Sequence, residues 1–127
     1  MDTQTTYGRK MRILVVDDEP GIRDLIRDAV SRLGHQVVEA ENGIDALVRL
    51  AEHSVDLMFL DIRMPKSDGI TVLKEVRRLW PDVPVVMITG CGEREPIEES
   101  LSLGSSLCLM KPFSIRDVTG VLDVVAA

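Results

Sequence analysis

The chemistry available to this 127-residue sequence is concentrated at Asp17 and Asp18, at Asp61, at Thr89 and at Lys111. Each of these positions follows a short apolar run: residues 13–16, 57–60, 85–88 and 107–110. Steps of 43, 28 and 22 residues separate Asp18, Asp61, Thr89 and Lys111, so only a fold can assemble them. Once assembled, three carboxylates within about 5 Å repel by about 3 kcal/mol per pair at an effective dielectric near 20. A solitary lysine cannot neutralise three of them. A hard divalent cation can, and carboxylate, carbonyl and water oxygens are the ligands Mg²⁺ prefers. The plainer reading is that each aspartate caps the helix after its strand. It serves for any single position, accounts poorly for Asp17 and Asp18 together, and says nothing of Lys111 beside Pro112.

The elements that must position these residues alternate along the chain. Residues 13–16 read as a strand buried on both faces. Asp17-Asp18-Glu19-Pro20 then places acidic capping residues and a proline where a helix starts. Ile22, Leu25, Ile26, Ala29, Val30 and Leu33 recur at helical steps until Gly34 stops them. Residues 36–40 form a second strand, and Asn42 caps a helix with Ile44, Leu47, Val48 and Ala51 on one face. A third strand over 57–60 leads to a helix from about Gly69 bearing Ile70, Leu73, Val76 and Trp80. The fourth strand, 85–88, precedes a helix anchored by Ile97 and Leu101 and ended by Gly104. The fifth strand, 107–110, precedes a last helix capped by Ser114 and Asp117 and carrying Ile115, Val118, Leu122 and Val125. Five strand–helix units predict a parallel sheet with helices on both faces. Such sheets place their sites at the carboxyl ends of the strands, where the order reverses.

Composition narrows the function class. At 45% hydrophobic and 28% charged the chain has ordinary globular usage, which argues against disorder. No apolar run approaches the roughly 20 residues of a membrane helix, and the polar first ten residues lack a signal-peptide core. A formal charge of −6 disfavours direct nucleic-acid binding. Two cysteines, Cys91 and Cys108, are too few and too irregular for a disulfide scaffold or a zinc site. A cytoplasmic protein is the expectation.

In order, Val15-Val16-Asp17-Asp18-Glu19, Leu60-Asp61-Ile62-Arg63-Met64-Pro65-Lys66-Ser67-Asp68-Gly69, Ile88-Thr89-Gly90 and Lys111-Pro112-Phe113 resemble the receiver domain of two-component response regulators. Asn42-Gly43 and the stretch at Gly104 fit as well. That family includes the single-domain chemotaxis regulator. The resemblance extends from about Met11 to Val125; each motif is short, but the ordered set at strand ends is specific. It implies a doubly wound five-stranded parallel α/β sheet, the flavodoxin-like (βα)5 receiver fold. The expected organisation is a flexible leader over 1–10 and a receiver domain over 11–127, with no effector attached.

The resemblance also implies roles. Asp61 would accept a phosphoryl group from a histidine on a partner kinase or phosphotransfer protein. Asp18 would ligate Mg²⁺ directly, Asp17 largely through water, and Asp61 and the backbone carbonyl of Arg63 would complete the protein ligands. Lys111 would pair with Asp61 and then with the phosphoryl oxygens, and Thr89 would donate its hydroxyl to one of them. The Lys111–Pro112 bond would be cis. The protein would be a phosphorylation-controlled switch rather than a classical enzyme, catalysing its own phosphotransfer and a slow autodephosphorylation. Its output surface would lie around the fourth helix, fifth strand and fifth helix, facing an unknown protein target, with room for a homodimer on phosphorylation.

Other residues are read as follows. His35 and His53 are taken as solvated, so the phosphodonor histidine must come from another protein. Arg63 and Cys91, two residues past Asp61 and Thr89, flank the phosphoryl site in the family and are expected to govern access of the hydrolytic water. Cys91, in a Gly90-Cys91-Gly92 loop, is expected to be accessible, with no neighbour to make it a redox sensor. Cys108 stands where most receivers carry a switching aromatic; its side chain is too short to swing between exposed and buried positions. Val118, Val121, Leu122, Val124 and Val125 exceed one narrow apolar stripe, which fits either a covered surface or a frayed end. Three rivals remain. A phosphohydrolase would place Asp-x-Asp after the first strand, where this chain has Asp17-Asp18-Glu19. A flavin or nucleotide module would want a phosphate-cradling loop there instead of acids. A degenerate docking receiver would lack part of the acidic set or Lys111.

Overall fold

Apolar runs and amphipathic segments alternate in the folded chain as β1 (Arg12–Val16), α1 (Pro20–Ser31), β2 (Gln36–Ala40), α2 (Gly43–Glu52) and β3 (Leu57–Asp61). Two short strands follow, β4 (Arg63–Met64) and β5 (Ser67–Asp68), then α3 (Gly69–Leu79), β6 (Val85–Thr89), α4 (Arg94–Ser102), β7 (Leu107–Met110) and α5 (Ile115–Val125). The computed structural model describes residues 10–64, 67–90 and 94–125. The five long strands form one parallel sheet in the order β2-β1-β3-β6-β7. The order reverses at β1 and β3, whose neighbouring carboxyl ends carry Asp17 and Asp61.

Both faces of the sheet are covered, which is why its strands read as unbroken apolar runs. Ile13, Val15, Leu57, Phe59, Val86, Ile88 and Leu109 face α1 and α5 and pack on Ile26, Ala29, Val30, Val118 and Leu122. The alternate residues Leu14, Val16, Met58, Leu60, Val85 and Met87 face α2 and α3 and pack on Ala46, Leu50, Val72, Leu73 and Val76. A side chain of Leu, Ile or Phe size, fully buried in these layers, contributes roughly 1.5–3 kcal/mol.

Caps end several helices as the residue types predict. Asn42 Oδ1 accepts from the Asp45 N–H at 2.8 Å, and Ser114 and Asp117 form a reciprocal box. Gly34 follows α1 with φ +88°, and the His35 N–H reaches back to the Val30 carbonyl at 3.2 Å. Among the described residues no helix is long and apolar enough to cross a membrane.

Four expectations need correcting. The inward face of α2 is Gly43, Ala46 and Leu50 rather than the Ile44–Val48 stripe, and Ile44 is 78% exposed. Gly43 sets this rotation: a Cβ there would lie 2.5 Å from Val72 Cγ2, so the start of α2 is pressed against α3. In α4, Leu101 is exposed while Ser100 is fully buried. Ser100 tolerates burial because its hydroxyl donates to the Ile97 carbonyl at 2.8 Å and accepts from Ser105 Oγ at 3.3 Å. The acids before α1 do not cap it; Glu19 occupies the N-cap, yet its side chain makes no capping bond. His35 is not simply solvated: it is half-buried, and its Nδ1 accepts from the Met11 N–H at 3.0 Å. Of the leader, residues 1–9 lie outside the described residues, and Lys10 Nζ donates to the Leu33 carbonyl at 2.7 Å.

Burial, with the Lys10 charge second, lowers the His35 pKa from 6.5. The folded chain therefore favours neutral imidazole, and the stability this confers is present above pH 6.5 and lost as pH falls through the lowered folded value. His35→Ala is expected to cost about 1 kcal/mol at pH 8. The cost should shrink as pH falls below 6.5, which urea unfolding of both proteins across that range would check.

Candidate functional site

The site is built where three strands stop. Asp17 follows β1, its N–H donating to the Ala40 carbonyl of β2 at 3.2 Å and its carbonyl accepting from Arg23 Nη1 at 2.7 Å. Arg23 is held in turn by Glu39 at 3.2 Å, so an ion pair between α1 and β2 steadies the acidic turn. Asp61 ends β3, and its Oδ1 accepts from the Arg63 N–H at 3.3 Å. The turn after it is closed by the β4–β5 pairing, which the sequence patterning did not predict. Gly69 closes the same turn with an N–H···O bond to Ile62 at 2.8 Å. A Cβ at Gly69 would collide with the Asp61 carbonyl oxygen and approach Ile62 Cα to 2.7 Å. No side chain fits between the start of α3 and the strand that carries Asp61.

The fold brings the expected acids together. Carboxylate oxygens of Asp17, Asp18, Glu19 and Asp61 all lie within 4.8 Å of one another. Asp17 is fully buried and Asp61 3% exposed, whereas Asp18 is half-buried and Glu19 exposed. Lys111 reaches across from the end of β7, with Nζ 3.3 Å from Asp17 Oδ2 and 3.5 Å from Asp61 Oδ2. Its shortest contact is with Glu19 Oε1, at 2.6 Å. Glu19 is the site residue that sequence reasoning missed. Its signal was there to find, since Glu is not among the preferred N-cap residues.

Thr89 is fully buried at the end of β6, its hydroxyl donating to the Gly90 carbonyl at 3.2 Å. Its carbonyl accepts from the Lys111 N–H at 2.7 Å, which ties the two strand ends together. The Lys111–Pro112 peptide bond is cis. Arg63 projects an exposed side chain beside the site. Cys91, Gly92, Pro65 and Lys66 lie outside the described residues. Cys108 is half-buried on the α4 side of β7, with Sγ 3.8 Å from Ser100 Oγ.

Electrostatics follow from this packing. Burial pushes Asp61 up to about 7, the Asp17 charge adding to the rise while Lys111 opposes it. Burial likewise raises Asp17, against the Glu19 N–H and Lys111. Burial alone would lower Lys111, but the Glu19 hydrogen bond and the Asp17 and Asp61 charges outweigh it and hold the ammonium above the usual lysine range. Asp17 Oδ2 is buried and, although near Lys111, has no hydrogen bond of proper geometry. A buried carboxylate oxygen with one ammonium nearby, no hydrogen bond and three more carboxylates around it is the setting a hard cation relieves.

A family model of the response regulator receiver domain matches residues 13–123. The chain belongs to that family. Its members are phosphorylation-dependent signalling switches rather than classical enzymes, and they take phosphate from histidine kinases. The chain is 39% identical to the chemotaxis protein CheY of Bacillus subtilis over 113 residues, 88% of this chain and 94% of that protein. It is 36% identical to the sporulation initiation phosphotransferase F of the same organism, over 84% of this chain and 86% of that one. The crystal structure of the receiver domain of NtrX from Brucella abortus superposes with a TM-score of 0.84 at 35% identity, covering 88% of this chain and 95% of that one. Against a longer NtrX chain the match spans 26% of that chain. This receiver sheet is the doubly wound arrangement the residue pattern predicted.

Because the folded Asp61 carboxyl titrates above its ordinary 3.8, the folded chain binds the extra proton between those values and loses stability as pH rises toward 7. In the metal-free protein Asp61→Asn is therefore expected to be more stable than the parent at pH 8, by on the order of 1–2 kcal/mol. The gain should vanish toward pH 4, as chemical denaturation in chelator would report.

Proposed function

We propose that this receiver accepts a phosphoryl group on Asp61. The observation that carries the reading is the buried Asp61 carboxylate at the carboxyl edge, beside Asp17 and 3.5 Å from the Lys111 ammonium. The donor set fits Mg²⁺: the carboxylates of Asp17, Asp18 and Asp61 and the carbonyl of Arg63 would hold it, and the orphaned Asp17 Oδ2 favours a cation there. When bound, the cation offsets charge on the transferring phosphoryl oxygens.

An Asp61 carboxylate oxygen forms the new bond to phosphorus as the bond from phosphorus to the donor breaks; the donor is a phosphohistidine nitrogen of a partner kinase or phosphotransfer protein. Lys111 then moves its charge toward the phosphoryl oxygens, and the Thr89 hydroxyl donates to one of them. Both lie on strand ends joined by a backbone bond, so a pull on either reaches β6 and β7 together. Water later attacks the same phosphorus, releasing phosphate and restoring Asp61, with the exposed Arg63 side chain beside its approach. The changed surface around α4, β7 and α5 meets a downstream protein, or a second copy of the chain.

Asp61→Asn is expected to abolish labelling by acetyl phosphate without loss of fold, and excess chelator should suppress labelling of the parent. Undiminished labelling of the mutant would move the nucleophile elsewhere. Lys111→Ala should bind Mg²⁺ at least as tightly, because a competing charge is gone, while losing most of the conformational response to phosphorylation. Titration with Mg²⁺ and spectra with and without donor would check both.

Cys108 is expected to keep its place against Ser100 in both states, since a thiol on a β-carbon cannot cross the distance an aromatic ring does. Thiol labelling in a Cys91→Ser background should be slow with or without Mg²⁺ and beryllofluoride. A tenfold change would restore a switching role to this position.

A further inference from the structure

Glu19 is pinned by its backbone, and its side chain is committed to a partner outside its own helix. Its N–H donates to Asp17 Oδ1 at 2.9 Å, and its carbonyl accepts from Ile22 and Arg23 at 3.1 and 3.2 Å. Its side chain makes no cap bond to α1, is more than half exposed, and turns instead to Lys111. The 2.6 Å bond it makes there is of the short, charge-assisted kind. The contacts of the same ammonium to Asp17 and Asp61 are 3.3 and 3.5 Å. So Lys111 gives its shortest bond to the one exposed acid of the cluster and reaches the buried pair only at longer range, the Asp61 contact being a long hydrogen bond, while a buried Asp17 oxygen is left without one.

We propose that Glu19 is a positioning residue that parks Lys111 in the resting receiver and competes with the phosphoryl group for its ammonium. The inference rests on Asp61 being the phosphoacceptor. A lysine ammonium carries three donors on a flexible stem, so it can lean toward whichever acceptor is nearest and most charged. With Asp61 unmodified that acceptor is Glu19. A phosphoryl group on Asp61 adds charge and acceptor oxygens on the other side of Nζ, and Lys111 reaches them by lengthening or giving up the Glu19 bond. Glu19 thus opposes phosphorylation through Lys111. An exposed acid in that place would also repel an incoming phosphodonor directly, and the two effects must be separated.

They separate by substitution. Glu19→Gln removes the charge. Glu19→Asp keeps it but, one methylene shorter, draws the carboxylate back from Nζ. Both are made in the parent and in Lys111→Ala, and the rate constant for labelling by acetyl phosphate is measured at fixed Mg²⁺. Parking predicts a three- to tenfold increase for both substitutions when Lys111 is present and less than a twofold change when it is absent. Equal enhancement by Glu19→Gln in the two backgrounds would mean direct repulsion and overturn the proposal, as would an unchanged rate in the parent. Folding equilibria of the same four Gln and Ala combinations, measured by urea unfolding in chelator, give a readout free of phosphotransfer. Glu19→Gln should lower the folding constant at least threefold more with Lys111 present than without it, and additive effects within twofold would refute the pairing. Labelling that survives Asp61→Asn would instead defeat the acceptor assignment, an outcome these substitutions do not mimic.

Discussion

Two carboxylates buried side by side, with one ammonium between them and solvent, are the constraint around which the molecule is organised. Asp17 and Asp61 lie at the ends of adjacent strands where the sheet order reverses, a place the topology creates and the apolar layers then seal. Burying charge this way is unfavourable by itself. It persists because the strands beneath are packed on both faces and cannot relax: β1 and β3 carry side chains into both cores at once. Lys111 comes from the far edge strand, so the site draws on strands spread across the sheet. Lys111 thus ties the two acids to the end of β7.

The fold was legible because parallel strands buried on both faces write themselves as apolar runs, and the residue after each run is read directly as a strand end. Asp17, Asp61, Thr89 and Lys111 were singled out that way, with Asp18 beside the first, and the carboxylates lie as close together as the charge argument assumed. What was not legible depended on packing between elements. The rotation of α2 is decided by Gly43 meeting α3, and a hydropathy stripe that ignores small residues picks the wrong face. Ser100 is inward because its hydroxyl satisfies itself within its own turn, and no scale of side-chain polarity anticipates that. His35 is half-buried where its imidazole accepts from the Met11 N–H, just ahead of β1. Glu19 escaped notice because it sits in a capping position and acts elsewhere.

The family resemblance and the residue chemistry reach the acidic edge by separate routes, and they part company at Cys108. There the chain replaces a large ring by a thiol resting on a serine. Nearby, the described side chains that α4 turns inward are Ile97 and Ser100, where α3 offers Ile70, Val72, Leu73 and Val76.

That difference has an energetic meaning. A helix that lays little apolar surface on its neighbours, and meets them partly through hydroxyls, opens at a smaller free energy than the helices on either side of it. Hydroxyl contacts are also easily exchanged for water, so a lifted α4 leaves few unsatisfied groups behind. Beside the strand that leads to Lys111, the sheet is thus covered at Ser100 and Cys108 by hydroxyl and thiol contacts in place of a further apolar layer.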